Sequence, residues 1–122
     1  MFPGDNDVMP TLTIQTSGGR VGLPDRWLPF VAQELREPDR FVVVEDGRQH
    51  SYAQAFNDQG TLLLEYRDGS PQRHFQVTGV GIDDVAEALS QWAQGERSFI
   101  EHHTWTRLTD WDQPSSRTNH RT

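Results

Sequence analysis

Hydrophobic and polar positions alternate with a period of two along four short stretches in the middle of the chain, at residues 40–45, 50–56, 61–67 and 72–78. This is the pattern of strands with one buried face. Three turn signals separate them: Asp46-Gly47, Asn57-Asp58-Gln59-Gly60 and Asp68-Gly69-Ser70-Pro71. Connections this short join neighbours only as antiparallel hairpins, so the pattern predicts a four-stranded meander. Upstream, Leu12 and Ile14 alternate with threonine, which predicts a strand over Thr11–Thr16 that ends at Ser17-Gly18-Gly19. Trp27, Val31 and Leu35 recur at four-residue spacing beside Phe30 and predict a helix over Asp25–Glu37. Pro24 and Pro29 fit near its first turn, and Pro38 stops it. Downstream, Val85, Leu89 and Trp92 mark the buried stripe of a helix over Asp84–Gln94. Asp83 is its expected N-cap and Gly95 the residue beyond its end. A last strand over Thr104–Thr109 carries Trp105, and Trp111 follows as a second anchor. The expected fold is α+β in the order β-α-β-β-β-β-α-β, an antiparallel sheet with two helices packed on one face.

Turns of even length sort whole strands onto faces, because successive side chains point to opposite sides. With Glu45 facing His50, Phe56 facing Thr61 and Arg67 facing Gln72, one face gathers Val42, Val44, Ala53, Ala55, Leu64, Tyr66, Phe75 and Val77. Leu62 joins them, with Arg73 near one end. This apolar set is the natural floor for the helices. The other face gathers Phe41, Val43, Tyr52, Gln54, Phe56, Leu63, Glu65, His74, Gln76 and Thr78. The same register puts Tyr52, Glu65 and His74 in one row across three adjacent strands, with Glu65 able to bond both flanking rings.

Composition narrows the chemistry. The 122 residues contain no cysteine, which excludes disulfides, thiolate metal sites and a cysteine nucleophile. All 11 basic residues are arginine, a mark of a high-GC genome, and no lysine is present for Schiff-base or phosphate-loop chemistry. The net charge of −7 disfavours nucleic acid or an anionic membrane as partner and leaves room for a basic one. No stretch has the roughly 20 apolar residues needed to span a bilayer, and the acidic start lacks the pattern of a signal peptide. These features lead to an expected cytoplasmic location. Residues 1–10 and 113–122 are expected to be flexible segments flanking a single domain over 11–112.

Candidate chemistry concentrates on one hairpin, EYRDGSPQRHFQ, residues 65–76. Arg67 or Arg73 has the fork that clamps a carboxylate or phosphate, and His74 is the residue type for proton exchange. The structural alternative is that one arginine pairs with Asp68 to hold the turn. His102-His103, read as strand residues, point apart and suggest no metal site. Asp83-Asp84 reads as helix capping. Gly79-Val80-Gly81 does not make a dinucleotide fingerprint, and neither Ser51 nor the serines of the C-terminal segment lie in a nucleophile motif. No cofactor or metal is expected.

The EYRDGSPQRHFQ run, the following IDDVAEALSQWAQGE helix and the closing strand with Trp105 resemble a group of small actinobacterial α+β proteins. These share an EYRDG-x-P-x-RHFQ hairpin, and the resemblance covers about residues 41–108. No activity comes with it. By analogy with small acidic proteins of such genomes it implies a toxin-neutralising immunity protein. The leading expectation is therefore a non-catalytic protein-binding domain with a partner encoded nearby. Its candidate binding residues are Tyr52, Gln54, Phe56, Glu65, Arg67, Arg73, His74 and Gln76. The alternatives are a small enzyme or ligand-binding domain using Tyr52, Glu65 and His74 with Arg67 or Arg73, and a homodimer joined through the second sheet face.

Overall fold

Ser17-Gly18 turns the chain instead of ending the sheet. In the computed structural model, which describes residues 12–47 and 51–108, strand β1 (Thr13–Thr16) folds back into β2 (Gly19–Val21) through these two residues. Thr16 holds the turn: its hydroxyl donates to the Gly19 carbonyl at 3.0 Å and accepts the Gly18 N–H at 3.1 Å. Gly19 lies at φ 124°, a region closed to most side chains. The expected order is corrected accordingly to β-β-α-β-β-β-β-α-β. A three-residue strand whose only large apolar side chain is Val21 offers no alternation to read.

The remaining elements are α1 (Trp27–Glu34), β3 (Phe41–Glu45), β4 (Ser51–Asp58), β5 (Thr61–Asp68), β6 (His74–Thr78), α2 (Ile82–Gln94) and β7 (Thr106–Leu108). Short 3₁₀ turns occupy Pro71–Arg73 and Ser98–His102. All strands form one antiparallel sheet in the order β2-β1-β3-β4-β5-β6-β7. The meander β3–β6 is thus the middle of a larger sheet. Both helices contribute to one apolar core over a single sheet face: Val31 and Leu35 from α1 and Val85, Leu89 and Trp92 from α2 meet Val42, Val44, Ala53, Ala55 and Leu64.

Helix boundaries follow local hydrogen bonding. α1 is shorter than Asp25–Glu37, because Arg26 is still extended and the Arg40 guanidinium caps the far end. Its Nε donates to the Glu34 carbonyl at 2.6 Å and its Nη2 to Glu34 Oε1 at 2.9 Å. Asp39, at φ 71°, then redirects the chain into β3. α2 begins at Ile82 with Gly81 as its N-cap, two residues before Asp83. Asp84 Oδ2 accepts the Gly81 N–H at 3.0 Å, and both aspartates lie in the first turn, where the helix dipole favours them. Gly95 closes the helix at φ 82°.

Asn57 belongs to β4 and not to the turn that follows. Its Nδ2 donates to the Leu35 carbonyl at 2.7 Å and its Oδ1 accepts the Gly60 N–H at 2.7 Å. One buried amide thereby ties the end of α1 to the β4–β5 turn, which consists of Gln59 and Gly60, both at positive φ.

Tyr66 is the hub of an aromatic cluster at one end of the core. Its ring centroid lies 4.9 Å from Trp105, 5.1 Å from Phe75 and 5.8 Å from both Trp92 and Phe99. Trp105 and Trp27 are half-buried, and Trp111 lies outside the described residues. Burial pushes the Tyr66 phenol up from 10.0 and Asp68 adds to the rise, while Arg73 and Arg97 pull in the other direction. The folded state therefore holds this proton after the unfolded chain has released it. Stability due to the neutral phenol is complete below about pH 10 and is lost as pH climbs toward the raised folded value. The chain has 2 tyrosines. A tyrosinate absorbance titration should show a late component that disappears in Tyr66→Phe, and that variant should lose less stability on alkalinisation.

Candidate functional site on the second sheet face

The sorting of strands into two faces holds, but the register within it is slipped by two residues at each hairpin. Glu45 pairs with Tyr52, Phe56 with Leu63, and Arg67 with His74. The partners expected for them were His50, Thr61 and Gln72, and His50 lies outside the described residues. Strand β4 runs on through Asn57 and Asp58 before turning, and Pro71 starts a 3₁₀ turn that delays β6 to His74. Because each slip is even, no side chain changes face.

The row of Tyr52, Glu65 and His74 is corrected by the same shift. Tyr52, Arg67 and His74 share one row, between Glu45 and Leu108. Glu65 lies in the next row, directly between Gln54 and Gln76. Its bond to His74 is diagonal. Tyr52 meets His74 edge to face, with ring centroids 6.1 Å apart.

Glu65 and His74 are 1% and 0% exposed. A carboxylate at such a depth is tolerated when donors surround it. Gln76 Nε2 donates to Oε2 at 2.8 Å, Gln54 Nε2 to Oε1 at 3.3 Å, and His74 Nε2 also reaches Oε1 at 3.2 Å. On the far side of the imidazole, Arg67 Nη2 lies 3.4 Å from Nδ1. A guanidinium has donors only, so Nδ1 accepts and the ring proton sits on Nε2, directed at the carboxylate. The result is a polarised chain, Arg67 to His74 to Glu65, whose members strengthen one another in a low-dielectric setting.

The other candidates divide. Phe56, Gln54 and Gln76 share this face and are half-buried. Arg73 does not join them: it lies in the 3₁₀ turn, with its Nη2 on Asp68 Oδ2 at 3.2 Å and most of its side chain in solvent. Its pairing supports the turn-holding alternative for this arginine, whereas Arg67 turns to His74. Ser51 is buried and donates to Asp46 Oδ2 at 3.0 Å, an aspartate also approached by Arg97 Nη2 at 3.6 Å.

His102 and His103 lie at the end of a 3₁₀ turn and not on a strand. His102 Nδ1 is 3.1 Å from Glu87 Oε1, while His103 packs edge-on to Trp105. Among the described residues no three histidines or carboxylates gather in a way that would hold a metal ion. No described helix is long and apolar enough to cross a membrane.

Sequence reasoning missed the direct Arg67–His74 contact and the place of Leu108 beside His74. The signal available was the length of β4: an asparagine that completes a tight turn with its side chain extends the strand and fixes the slip. Comparison with family models, with curated proteins and with solved structures finds no match to this chain.

Proposed function

We propose that the chain is a non-catalytic protein-binding domain of the cytoplasm whose second sheet face, around Tyr52, Gln54, Phe56, Arg67 and Gln76, receives a protein partner. A toxin-neutralising immunity protein is the form of binder suggested by the resemblance of its 65–76 hairpin and following helix. The observation that carries this reading is the closure of the polar network. Both Glu65 oxygens and both His74 nitrogens are engaged by side chains, at depths that keep a substrate from either group. Proton transfer to a ligand would require these bonds to open, whereas a fixed network holds the surrounding half-buried side chains in place for contact. The net charge of −7 favours a basic partner and fast, salt-sensitive encounter.

The test is co-purification with the product of the adjacent gene, followed by affinity measurement across a salt series. The reading expects a complex that weakens with salt and loses about tenfold or more in affinity on Phe56→Ala or Tyr52→Ala. Concentration-dependent dimerisation removed by those substitutions would favour the homodimer. Turnover of a substrate abolished by His74→Gln in a folded variant would favour the enzyme. Either result contradicts the proposal.

A further inference from the structure

Most of the described arginines are engaged. Among the described residues Arg36, Arg40, Arg67, Arg73, Arg97 and Arg107 each reach an acceptor on a side chain or carbonyl. Arg20 and Arg26 reach none, and both are exposed. They bracket Leu23, which is 63% exposed, and Leu28, at 44%, follows two residues after Arg26. These two leucines are the exposed large hydrophobic residues among those described. A single exposed leucine needs no explanation. Two of them interleaved with two unengaged cations, which outnumber the one carboxylate of the segment, Asp25, make a local reversal of polarity and of charge sign in a chain of net charge −7.

The segment is also stiff and well placed. Pro24 and Pro29 fix φ at two positions, which lowers the entropy lost on contact. Arg20 stands on β2, the terminal strand of the sheet, so no further described strand lies beyond it.

We propose that residues 20–28 dock an acidic, apolar stretch of a partner protein. Carboxylates of that stretch meet Arg20 and Arg26, and an aliphatic or aromatic side chain rests against Leu23 and Leu28. The acidic remainder of the surface repels such a stretch, so charge confines it to this segment. A second copy of this chain fits less well, because twofold pairing would set the same arginines against each other. Nucleic acid would supply anions but nothing for the leucines, and the net charge opposes it.

The experiment pans a displayed peptide library on the full chain and, in parallel, on the Leu23→Asp, Arg26→Glu double variant, whose thermal unfolding should match the parent because both sites are exposed. Enriched peptides are then synthesised, labelled and titrated by fluorescence anisotropy. The proposal expects peptides carrying Asp or Glu beside Leu, Phe or Trp. Their affinity should fall about tenfold or more in Arg26→Glu and in Leu23→Asp, and recover in Arg26→Lys. It is overturned if no peptide is enriched over the double variant, if the enriched peptides lack carboxylates, or if they bind the double variant equally. Self-association of the parent that is lost in the double variant also overturns it, since the occupant is then a second copy.

Discussion

Glu65→Ala is expected to destabilise the fold by about 3 kcal/mol, the upper end of the cost of leaving buried hydrogen-bonding groups unsatisfied, because one charged acceptor is lost to several donors at once. The carboxylate is the shared acceptor of three donors, His74 Nε2, Gln54 Nε2 and Gln76 Nε2. Without it the imidazole N–H is left buried with nothing to receive it, and the Arg67 guanidinium faces a ring no longer balanced by an anion. The two glutamines are half-buried and can turn toward water, so the main loss falls on His74. Glu65→Gln keeps the shape and one acceptor oxygen and should lose about 1–3 kcal/mol. A Glu65→Leu, His74→Leu double variant removes donor and acceptor together. It should recover much of the loss seen in Glu65→Ala, because replacing both partners of a buried hydrogen bond by apolar groups can be nearly neutral. Denaturant unfolding of the parent and the three variants gives the comparison. A loss below about 1 kcal/mol in Glu65→Ala would mean that the network contributes little to the fold.

Trp92→Ala should cost a comparable amount, about 3–5 kcal/mol, by opening a cavity in the aromatic cluster around Tyr66. The indole is 1% exposed, packs against Tyr66 and Phe99 with centroids 5.8 and 6.3 Å away, and carries the Arg97 guanidinium 3.4 Å from its ring centre. Alanine removes the ring contacts and the cation–π contact together. Trp92→Phe is the informative companion. The indole N–H is buried without a hydrogen-bond partner, so phenylalanine gives up ring area but also removes an unsatisfied donor. It should be far milder than alanine. Thermal unfolding of the two variants supplies the stability ranking.

What the sequence made legible was parity. Alternation along residues 41–45 and 51–78 sorts side chains onto the helix-covered and opposite faces, and the share of the core contributed by these strands follows from that sorting. Register was not legible, since a shift of two residues leaves the alternation unchanged and only the turn decides it. Asn57 looked like a turn residue by composition. Its amide instead reaches the Leu35 carbonyl, a contact between residues 22 apart in the chain, and so belongs to the end of a strand. That shift moved Glu65 out of line with Tyr52 and placed Arg67 there. The polar cluster was legible as a set of residues, but its wiring was not. Strand β2 was hidden for another reason: three residues including a glycine carry no period, and β1 supplies the ladder that makes them a strand. The helices were found by their apolar stripes, while their ends were set by Arg40 and Asp84, whose roles depend on where the chain returns.

The wiring around His74 is open to direct observation by nitrogen-detected NMR of the imidazole ring in the intact chain. The hydrogen-bond partners require a proton on Nε2, slow to exchange with water, and a bare Nδ1 facing Arg67. A proton found on Nδ1, or a ring averaging between tautomers and exchanging freely, would mean that Glu65 and Arg67 do not hold this histidine and that the second sheet face lacks the fixed polar centre described above.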